Sequence, residues 1–258
     1  MELFITESSF NIYPTMLKRF FLLTATSLMS MATMAQLNIQ LHYDFGHDLY
    51  GKQLSNRPRL TATVEHFSAD RWGSTYFFID ADLGGNVVKS AYGELSRELR
   101  FWDAPFAAHV EFNGGLNGKT GSFDNAYLIG PAWNWHNENF SRTFSVQLLY
   151  KYLAHRGNHG NCNHSVQLTE VWGLHFANGL CTFSGYCDLW YDRGVNGRLI
   201  LCSEPQFWVN MWHLRGIADD AKWSIGTECE ISNNLVWPSN GKNNRFYVIP
   251  TLAMKWTF

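Results

Sequence analysis

The sequence has few charged residues and no helical pattern in its main part. Asp, Glu, Lys and Arg make up 16% of the 258 residues, against about 25% in a typical soluble domain. The net charge of −2 offers no basic field of the kind that nucleic-acid binding needs. No segment after residue 36 repeats its apolar residues every 3.6 positions, so we expect no helix in the domain. Aromatic residues reach 16%, which favours an aromatic-rich β protein.

A long apolar run is also missing. The best candidate, Phe20 to Met34, is too short and too rich in Ser and Thr for a membrane-spanning helix, which needs about 20 apolar residues. It follows the basic segment Met16–Arg19 and precedes small residues, as in a secretory signal peptide cleaved after Ala35. The predicted organisation is a misannotated or disordered extension at 1–15, a signal peptide at 16–35 and one domain at 36–258.

The five cysteines form no framework. Their number is odd, and no short spacing relates Cys162, Cys181, Cys187, Cys202 and Cys229. Cys181 and Cys187 fall on one predicted strand, about 20 Å apart at roughly 3.3 Å per residue, which is too far for a disulfide. Two interpretations remain: thiols that act as small apolar groups, and a structural disulfide between other members of the set.

What the sequence does contain is alternation with a period of two residues. The segment from Arg245 to Phe258 places Phe246, Leu252 and Trp256 on one face and Tyr247 and Lys255 on the other. A strongly amphipathic terminal strand exposes an edge that invites aggregation, unless it pairs with another strand of the same barrel. Eleven earlier segments alternate in the same way. The predicted strands are Leu37–Phe45, Arg59–Phe67, Gly73–Ala81, Ala91–Trp102, Phe106–Asn113, Phe123–Trp133, Thr143–Leu153, Ser165–Phe176, Leu180–Asp192, Arg198–Trp212, Trp223–Ser232 and Arg245–Phe258.

Twelve strands fit an all-β fold, a closed antiparallel transmembrane β-barrel, because closure of a single-chain antiparallel barrel requires an even number. If the first strand runs outward from the periplasm, the longer connections lie outside and the tight ones inside, which is typical of bacterial outer-membrane barrels. The predicted outer loops are 46–58, 82–90, 114–122, 154–164, 193–197 and 233–244, and the predicted inner turns are 68–72, 103–105, 134–142, 177–179 and 213–222.

The free-energy cost of placing a charge in lipid predicts which face of each strand points to the membrane and which points to the lumen. A charged side chain on the lipid face costs about 2–4 kcal/mol near the midplane, so polar positions should point into the lumen. In the first strand, Ile39 and Leu41 would face lipid while Gln40 and His42 face inward. Arg97 and Glu170 fall on the outward face, which predicts a bulge or a position at the rim. The candidate lumen or substrate-path residues are Asp44, Glu65, Tyr76, Asp80, Glu94, Glu98, Arg100, His109, Glu111, Lys151, Asp188, Glu204, Gln206, Trp208 and Glu228.

Several segments resemble known outer-membrane proteins. Leu60–Trp72 and Tyr76–Asp80 resemble the second and third strands of the nucleoside-specific (Tsx-like) outer-membrane channels, with an acidic-aromatic strand, a short turn before Trp and a Tyr-rich strand ending in Asp. Glu94–Trp102, Tyr127–Trp135 and the last strand are similar too. His42–Phe45, Phe106–Gly115 and Ser203–Trp208 more closely resemble an uncharacterised outer-membrane family grouped with those channels. The resemblance implies a barrel of this size, passage of nucleosides or other small solutes, and lumen positions for Glu65 and Asp80.

Two chemical alternatives have weaker support. His175 and Asn178 suggest the site of a lipid-hydrolysing barrel, with Ser184 on the next strand as the nearest serine, yet periodicity places His175 and Ser184 in the lumen rather than on the lipid face. The loop from His155 to His164 holds three His and one Cys, but their spacing matches no standard zinc site. No motif predicts a cofactor.

The sequence therefore predicts an outer-membrane channel, not an enzyme, for passive passage of small polar solutes, with nucleosides as the first candidate. The alternatives are a barrel enzyme acting on lipid and a plugged structural or adhesive barrel. The predicted partners are outer-membrane lipid, a small-molecule solute and the barrel-assembly machinery, which would recognise the strand ending at Phe258, with no nucleic acid.

Overall fold

A computed structural model describes residues 35–85, 87–118, 121–154, 164–192, 198–214, 216, 217, 220, 222–236 and 245–258. Each strand pairs antiparallel with its neighbours, as alternating sequences with turn residues between them predict. The strands are β1 (Ala35–Asp44), β2 (Leu60–Asp70), β3 (Gly73–Gly84), β4 (Val87–Leu99), β5 (Phe106–Asn117), β6 (Asn125–His136), β7 (Arg142–Ala154), β8 (His164–Phe176), β9 (Cys181–Asp192), β10 (Arg198–Ser203), β11 (Gln206–Asn210), β12 (Trp223–Asn233) and β13 (Phe246–Thr257).

The sheet closes on itself between its first and last strands. β1 pairs with β13 from Asn38 opposite Thr257 to Asp44 opposite Thr251, and β13 also pairs with β12. The backbone N–H of Phe258 donates to the carbonyl of Leu37 (2.9 Å). Every strand therefore has a neighbour on each side, so the barrel leaves no open edge.

Thirteen strand segments occupy twelve positions in the wall. β10 and β11 both lie between β9 and β12, so they are two parts of one strand interrupted at Glu204 and Pro205. Proline cannot donate to a ladder, which explains a break at this point. On β9, Gly185 (φ +154°) faces the break, and a Cβ there would lie 2.5 Å from the carbonyl oxygen of Glu204. The predicted closed antiparallel barrel of about twelve strands is confirmed.

The two faces of the wall differ as the alternation predicts. In β1, Ile39 and Leu41 are 45% and 48% exposed on the outer surface, whereas Gln40 and His42 are 2% and 4% exposed on the inner one. The outer surface carries a continuous series of large apolar side chains along the other strands. Its members include Ile79, Leu95, Val110, Phe112, Ile129, Leu148, Tyr150, Val166, Ile225, Leu252, Met254 and Trp256.

Several local predictions need correction. The predicted loop 82–90 is a tight turn, because β3 continues to Gly84 and β4 already begins at Val87. The predicted loop 46–58 contains a short helix, α1 (Gly46–Tyr50), followed by a 3-10 turn (Gly51–Leu54), although no helix was expected. Of the described helices, none has the length and hydropathy to span a membrane.

The two charged residues on the outward face have different explanations. Arg97 lies near the β2–β3 turn, where its guanidinium donates to Asp70 Oδ1 and to Thr75 Oγ1, both at 2.9 Å, so the predicted rim position is right. Glu170 is neither at a rim nor beside a bulge, because the β7–β8 and β8–β9 ladders run through it without a shift. It stays on the outward face, half-buried next to Cys187.

The described cysteines are free thiols, namely Cys181, Cys187, Cys202 and Cys229. Cys202 is buried on the inner surface beside Tyr186, and Cys187 lies on the outer one. None of these four forms a disulfide, but the prediction of thiols that act as small apolar groups does not describe Cys202, whose Sγ lies 3.6 Å from the Tyr186 hydroxyl. Cys162, the predicted signal peptide and most of the His-rich loop lie outside the described residues.

Candidate functional site in the barrel lumen

The polar inner face of the barrel is the candidate site, and most predicted lumen residues lie on it. We name one end of this space the mouth: it is the end at which β1 stops and the segment 46–58 begins. The strands carry Glu65, Tyr76, Asp80, Glu94, Glu98, His109, Glu111, Lys151, Asp188, Gln206, Trp208 and Glu228 inward, while Asp44 lies at the mouth and Glu204 at the β10–β11 break.

Arg100 does not belong to this group. β4 ends at Leu99, and Arg100 follows it as an exposed residue whose backbone N–H donates to the carbonyl of Trp72 (2.7 Å). The prediction that Arg100 lies in the lumen is therefore wrong. His109 lies beside the acidic cluster on β4 and β5 instead: its Nε2 lies 3.0 Å from Glu111 Oε2 and its Nδ1 lies 3.6 Å from Glu98 Oε1.

Aromatic rings and carboxyl groups alternate on the inner face of β2 to β5, and we name this face the acidic-aromatic wall. One row across these strands is Glu65, Phe78, Glu94 and Asn113, in direct register. The next row brings Asp80 opposite Tyr92. Opposed side chains in antiparallel strands lie about 5 Å apart at Cβ, so Phe78 and Tyr92 each stand beside a carboxylate.

Neutral groups hold the carboxylates of this wall. Glu65 accepts a hydrogen bond from Gln40 Nε2 (2.8 Å), Asp80 from Thr63 Oγ1 (2.5 Å) and Glu94 from Tyr92 OH (2.8 Å). In the described part of the chain, no Lys, Arg or His nitrogen lies within 4 Å of these three carboxylates. These three carboxyl groups therefore have no ion-pair partner.

The lumen strands on either side of this wall carry two cations, Lys151 on β7 and Lys255 on β13. Lys151 Nζ lies 4.1 Å from the ring centre of Trp190 and donates to Gln167 Oε1 (2.6 Å). Lys255 Nζ lies 4.1 Å from the ring centre of Trp208. Cation–π contacts of this kind stabilise a desolvated ammonium, so the faces of both tryptophan rings are occupied by the protein itself.

The mouth is narrowed by the segment 46–58, which folds into it. Leu54 is 2% exposed and packs against the inward residues Tyr247 and Ile249 of β13. The Tyr50 hydroxyl accepts from the backbone N–H of Val248 (3.0 Å) and lies 3.2 Å from its carbonyl. β1 ends before it reaches Val248 of β13, so the Tyr50 hydroxyl forms the hydrogen bonds with Val248 that β1 does not provide.

Arg57 links the segment 46–58 to β1 and β12 through two ion pairs. Its Nε donates to Asp44 Oδ2 (2.8 Å) at the end of β1, and its second terminal nitrogen donates to Glu230 Oε2 (2.6 Å) on β12. Burial opposes the charge of the guanidinium, yet the attraction of the two carboxylates raises the pKa of Arg57 above its ordinary range. Sequence analysis missed this residue, because it stands in a predicted loop without periodicity.

Neither alternative chemistry finds a matching arrangement. His175 Nδ1 lies 2.9 Å from Thr182 Oγ1, whereas the considered nucleophile Ser184 pairs with Gly173 and Gln206. Within the described ranges, no group of three or more His, Cys, Asp or Glu is placed to hold a metal ion. The hypothetical zinc ligands at 155–163 lie outside those ranges.

The structure thus defines a class: a single-chain, twelve-stranded antiparallel barrel with an apolar outer surface and a polar lumen. The chain belongs to the family described as a domain of unknown function (DUF5020), whose model matches residues 35–258. No curated protein matches it.

Solved structures show the same architecture at low identity. The NanC porin is similar with a TM-score of 0.55 and 11% identity, covering 85% of this chain and 98% of that one. The KdgM porin gives 0.47 and 11%, with 86% and 99% covered. LpxR from Salmonella typhimurium gives 0.42 and 9%, with 86% and 100% covered. The likeness to NanC establishes the fold alone.

Proposed function

We propose that this protein is an outer-membrane channel that conducts small polar solutes passively. The observation that carries the proposal is a closed barrel whose outer surface is apolar and whose inner surface holds carboxylates without cationic partners. An apolar band around a closed barrel suits lipid, since closure satisfies every backbone group within the wall. Unpaired charge inside suits a water-filled path, because charge buried without water or a partner is costly.

The location in the outer membrane and its partners belong to the same proposal. The signal-peptide pattern before residue 36 provides export, and lipid covers the apolar surface. Phe258 is 68% exposed on that surface, where the barrel-assembly machinery would reach it. The longer loops would face outward, with the mouth and the segment 46–58 on the external side.

Nucleosides are the first solutes to test, because the resemblance to nucleoside-specific channels includes β2, β3 and part of β4, which form most of the acidic-aromatic wall. Phe78 and Tyr92 offer ring surface on which a base can stack, and Glu65 and Asp80 offer acceptors for hydroxyl groups. A permeating solute needs sites that are favourable enough to enter and weak enough to leave, which single rings and single acceptors provide.

The two alternatives have weaker support than the channel. A plugged barrel requires lumen charges that pair with one another, and His109 does pair with Glu98 and Glu111. Glu65, Asp80 and Glu94, however, have no ion-pair partner among the described residues. A lipid enzyme requires a nucleophile and a base within hydrogen-bond reach, and His175 contacts a threonine on the inner surface instead.

Planar-bilayer recording of the purified protein tests the proposal. We expect discrete conductance steps in KCl and a concentration-dependent reduction of current when nucleosides are added. Steps without a nucleoside effect would reject the solute and keep the channel. Absence of steps, from protein whose gel mobility shifts on boiling as a folded barrel's does, would reject the channel.

A further inference from the structure

The acidic-aromatic wall has a row in which an aromatic ring stands between two carboxylates. Phe78 on β3 is opposed by Glu65 on β2 and by Glu94 on β4. With neighbouring strands about 4.8 Å apart, the two carboxylates are about 10 Å apart at their backbones. All three side chains are only half-buried, so a solute in the lumen can reach them.

More ring surface adjoins this row. The ring centres of Phe78 and Tyr92 are 6.2 Å apart, and Phe123 packs edge-on against Tyr92 at 5.8 Å. In the described residues, no Lys or Arg covers any of these rings, although lysines cover Trp190 and Trp208 elsewhere in the lumen. Aromatic faces beside carboxylates are the surface on which an organic cation is most stable.

A second and independent feature lies at the end of the row. Asn113 is inward, opposite Glu94, and only 5% exposed. Its side-chain oxygen Oδ1 lies just below the accessible surface of the lumen and has no hydrogen-bond partner. A buried acceptor without a donor is unfavourable, and an ammonium N–H is the kind of donor that would satisfy both this oxygen and the neighbouring carboxylate.

We propose that the row of Glu65, Phe78, Glu94 and Asn113 is a binding site for organic ammonium solutes on their way through the lumen. The alkyl part of the solute lies on the ring of Phe78, and its N–H groups donate to the Glu94 carboxylate and, once the Asn113 side chain turns toward the lumen, to Asn113 Oδ1. A solute with a second ammonium group reaches Glu65 on the other side of the ring. The site rests on the proposed function, since a solute arrives there only through the lumen.

A matched series of four-carbon probes isolates the charge. 1,4-Diaminobutane, 1,4-butanediol and succinate have similar length and carry positive, no and negative charge at pH 7. Titration calorimetry of the folded protein in detergent measures binding without requiring conduction. We expect the diamine to bind at least about tenfold more tightly than the diol, as one charge-assisted hydrogen bond implies, and succinate to give no signal. Equal affinity for diamine and diol, or binding of succinate alone, would overturn the proposal.

Substitutions then locate the site. Glu94→Gln should weaken diamine binding about tenfold, and Phe78→Leu, which keeps an apolar side chain, about threefold. Glu138→Gln removes the same charge from an exposed turn between β6 and β7 and should leave binding unchanged. Equal effects of Glu94→Gln and Glu138→Gln would show that general charge, not this row, attracts the cation. Each variant is first checked for the gel shift on boiling, and Glu65→Gln replaces any variant that fails to fold.

The bilayer separates this inference from the proposed function. In conducting protein, the diamine should block the current asymmetrically with voltage and the diol should not. Selective calorimetric binding without conductance steps would reject the channel and leave the binding site intact. Conductance steps without selective binding would reject the site and leave the channel intact.

Discussion

Carboxylates at the mouth and carboxylates on the acidic-aromatic wall have different kinds of partner. At the mouth, Asp44 and Glu230 share the guanidinium of Arg57 at 2.8 and 2.6 Å. On the wall, Glu65 and Glu94 accept only from an amide and a phenol. The first arrangement joins a loop to two strands and favours one conformation. The second leaves carboxyl groups without a cation facing the lumen, where they are available to a solute.

The largest effect should come from Arg57→Met at the mouth. The change leaves two mostly buried carboxylates facing each other without a cation, which costs about 3 kcal/mol or more. We expect a marked fall in the temperature of thermal unfolding in detergent. Arg59→Met is the control, because Arg59 contacts the exposed Asp48 and should change little. Adding Asp44→Asn and Glu230→Gln to Arg57→Met should restore much of the loss; failure of that rescue would show that Arg57 acts through packing.

Leu54→Ala tests whether the segment 46–58 is held in the mouth by packing. Leu54 is 2% exposed against Tyr247 and Ile249, so its truncation should cost about 2–3 kcal/mol. The loss should appear as faster protease cleavage within the segment and as larger single-channel conductance. Leu49→Ala, at a side chain that is 60% exposed, should do neither. Similar cleavage rates in the two variants would contradict the packing of Leu54.

Lys255→Met tests the contact between the Lys255 ammonium and the ring face of Trp208. Met keeps most of the length of the side chain but loses the charge 4.1 Å above Trp208. We expect a loss of about 1 kcal/mol in the free energy of unfolding, the usual size of a partly desolvated cation–π contact. Lys222→Met, whose ammonium lies 5.5 Å from Trp212, is the matched control with a smaller loss. A gain in stability for Lys255→Met would mean that burial of the charge outweighs the ring.

The smallest change in the free energy of unfolding should come from a substitution on the acidic-aromatic wall. Glu94→Gln removes a charge that has no ion pair, so unfolding should change by no more than about 0.5 kcal/mol. Glu111→Gln weakens a carboxylate contact with His109 at 3.0 Å and should cost about 1 kcal/mol. Chemical unfolding of the two variants in parallel measures the difference. If Glu94→Gln proved the more destabilising, the wall would be a structural element rather than a site.

The sequence predicts the wall better than it predicts the mouth, for a physical reason. Alternation determines which side of a strand a residue occupies, so Glu65, Asp80 and Glu94 could be assigned inward without a structure. Arg57 follows no period, and its two partners are separated from it by 13 and 173 positions. Arg100 was misplaced because alternation does not reveal where β4 ends. The unsatisfied oxygen of Asn113 depends on neighbours across three strands, which a single sequence does not display.

The most direct test of a cation-preferring lumen is the reversal potential of the purified protein in a planar bilayer under a KCl gradient. Carboxyl groups without a cationic partner should make the lumen prefer cations, so the reversal potential should move toward that of K⁺, and Glu94→Gln should reduce this shift while Glu138→Gln does not. A reversal potential near that of Cl⁻ would contradict the preference for cations, and no conductance from folded protein would contradict the channel.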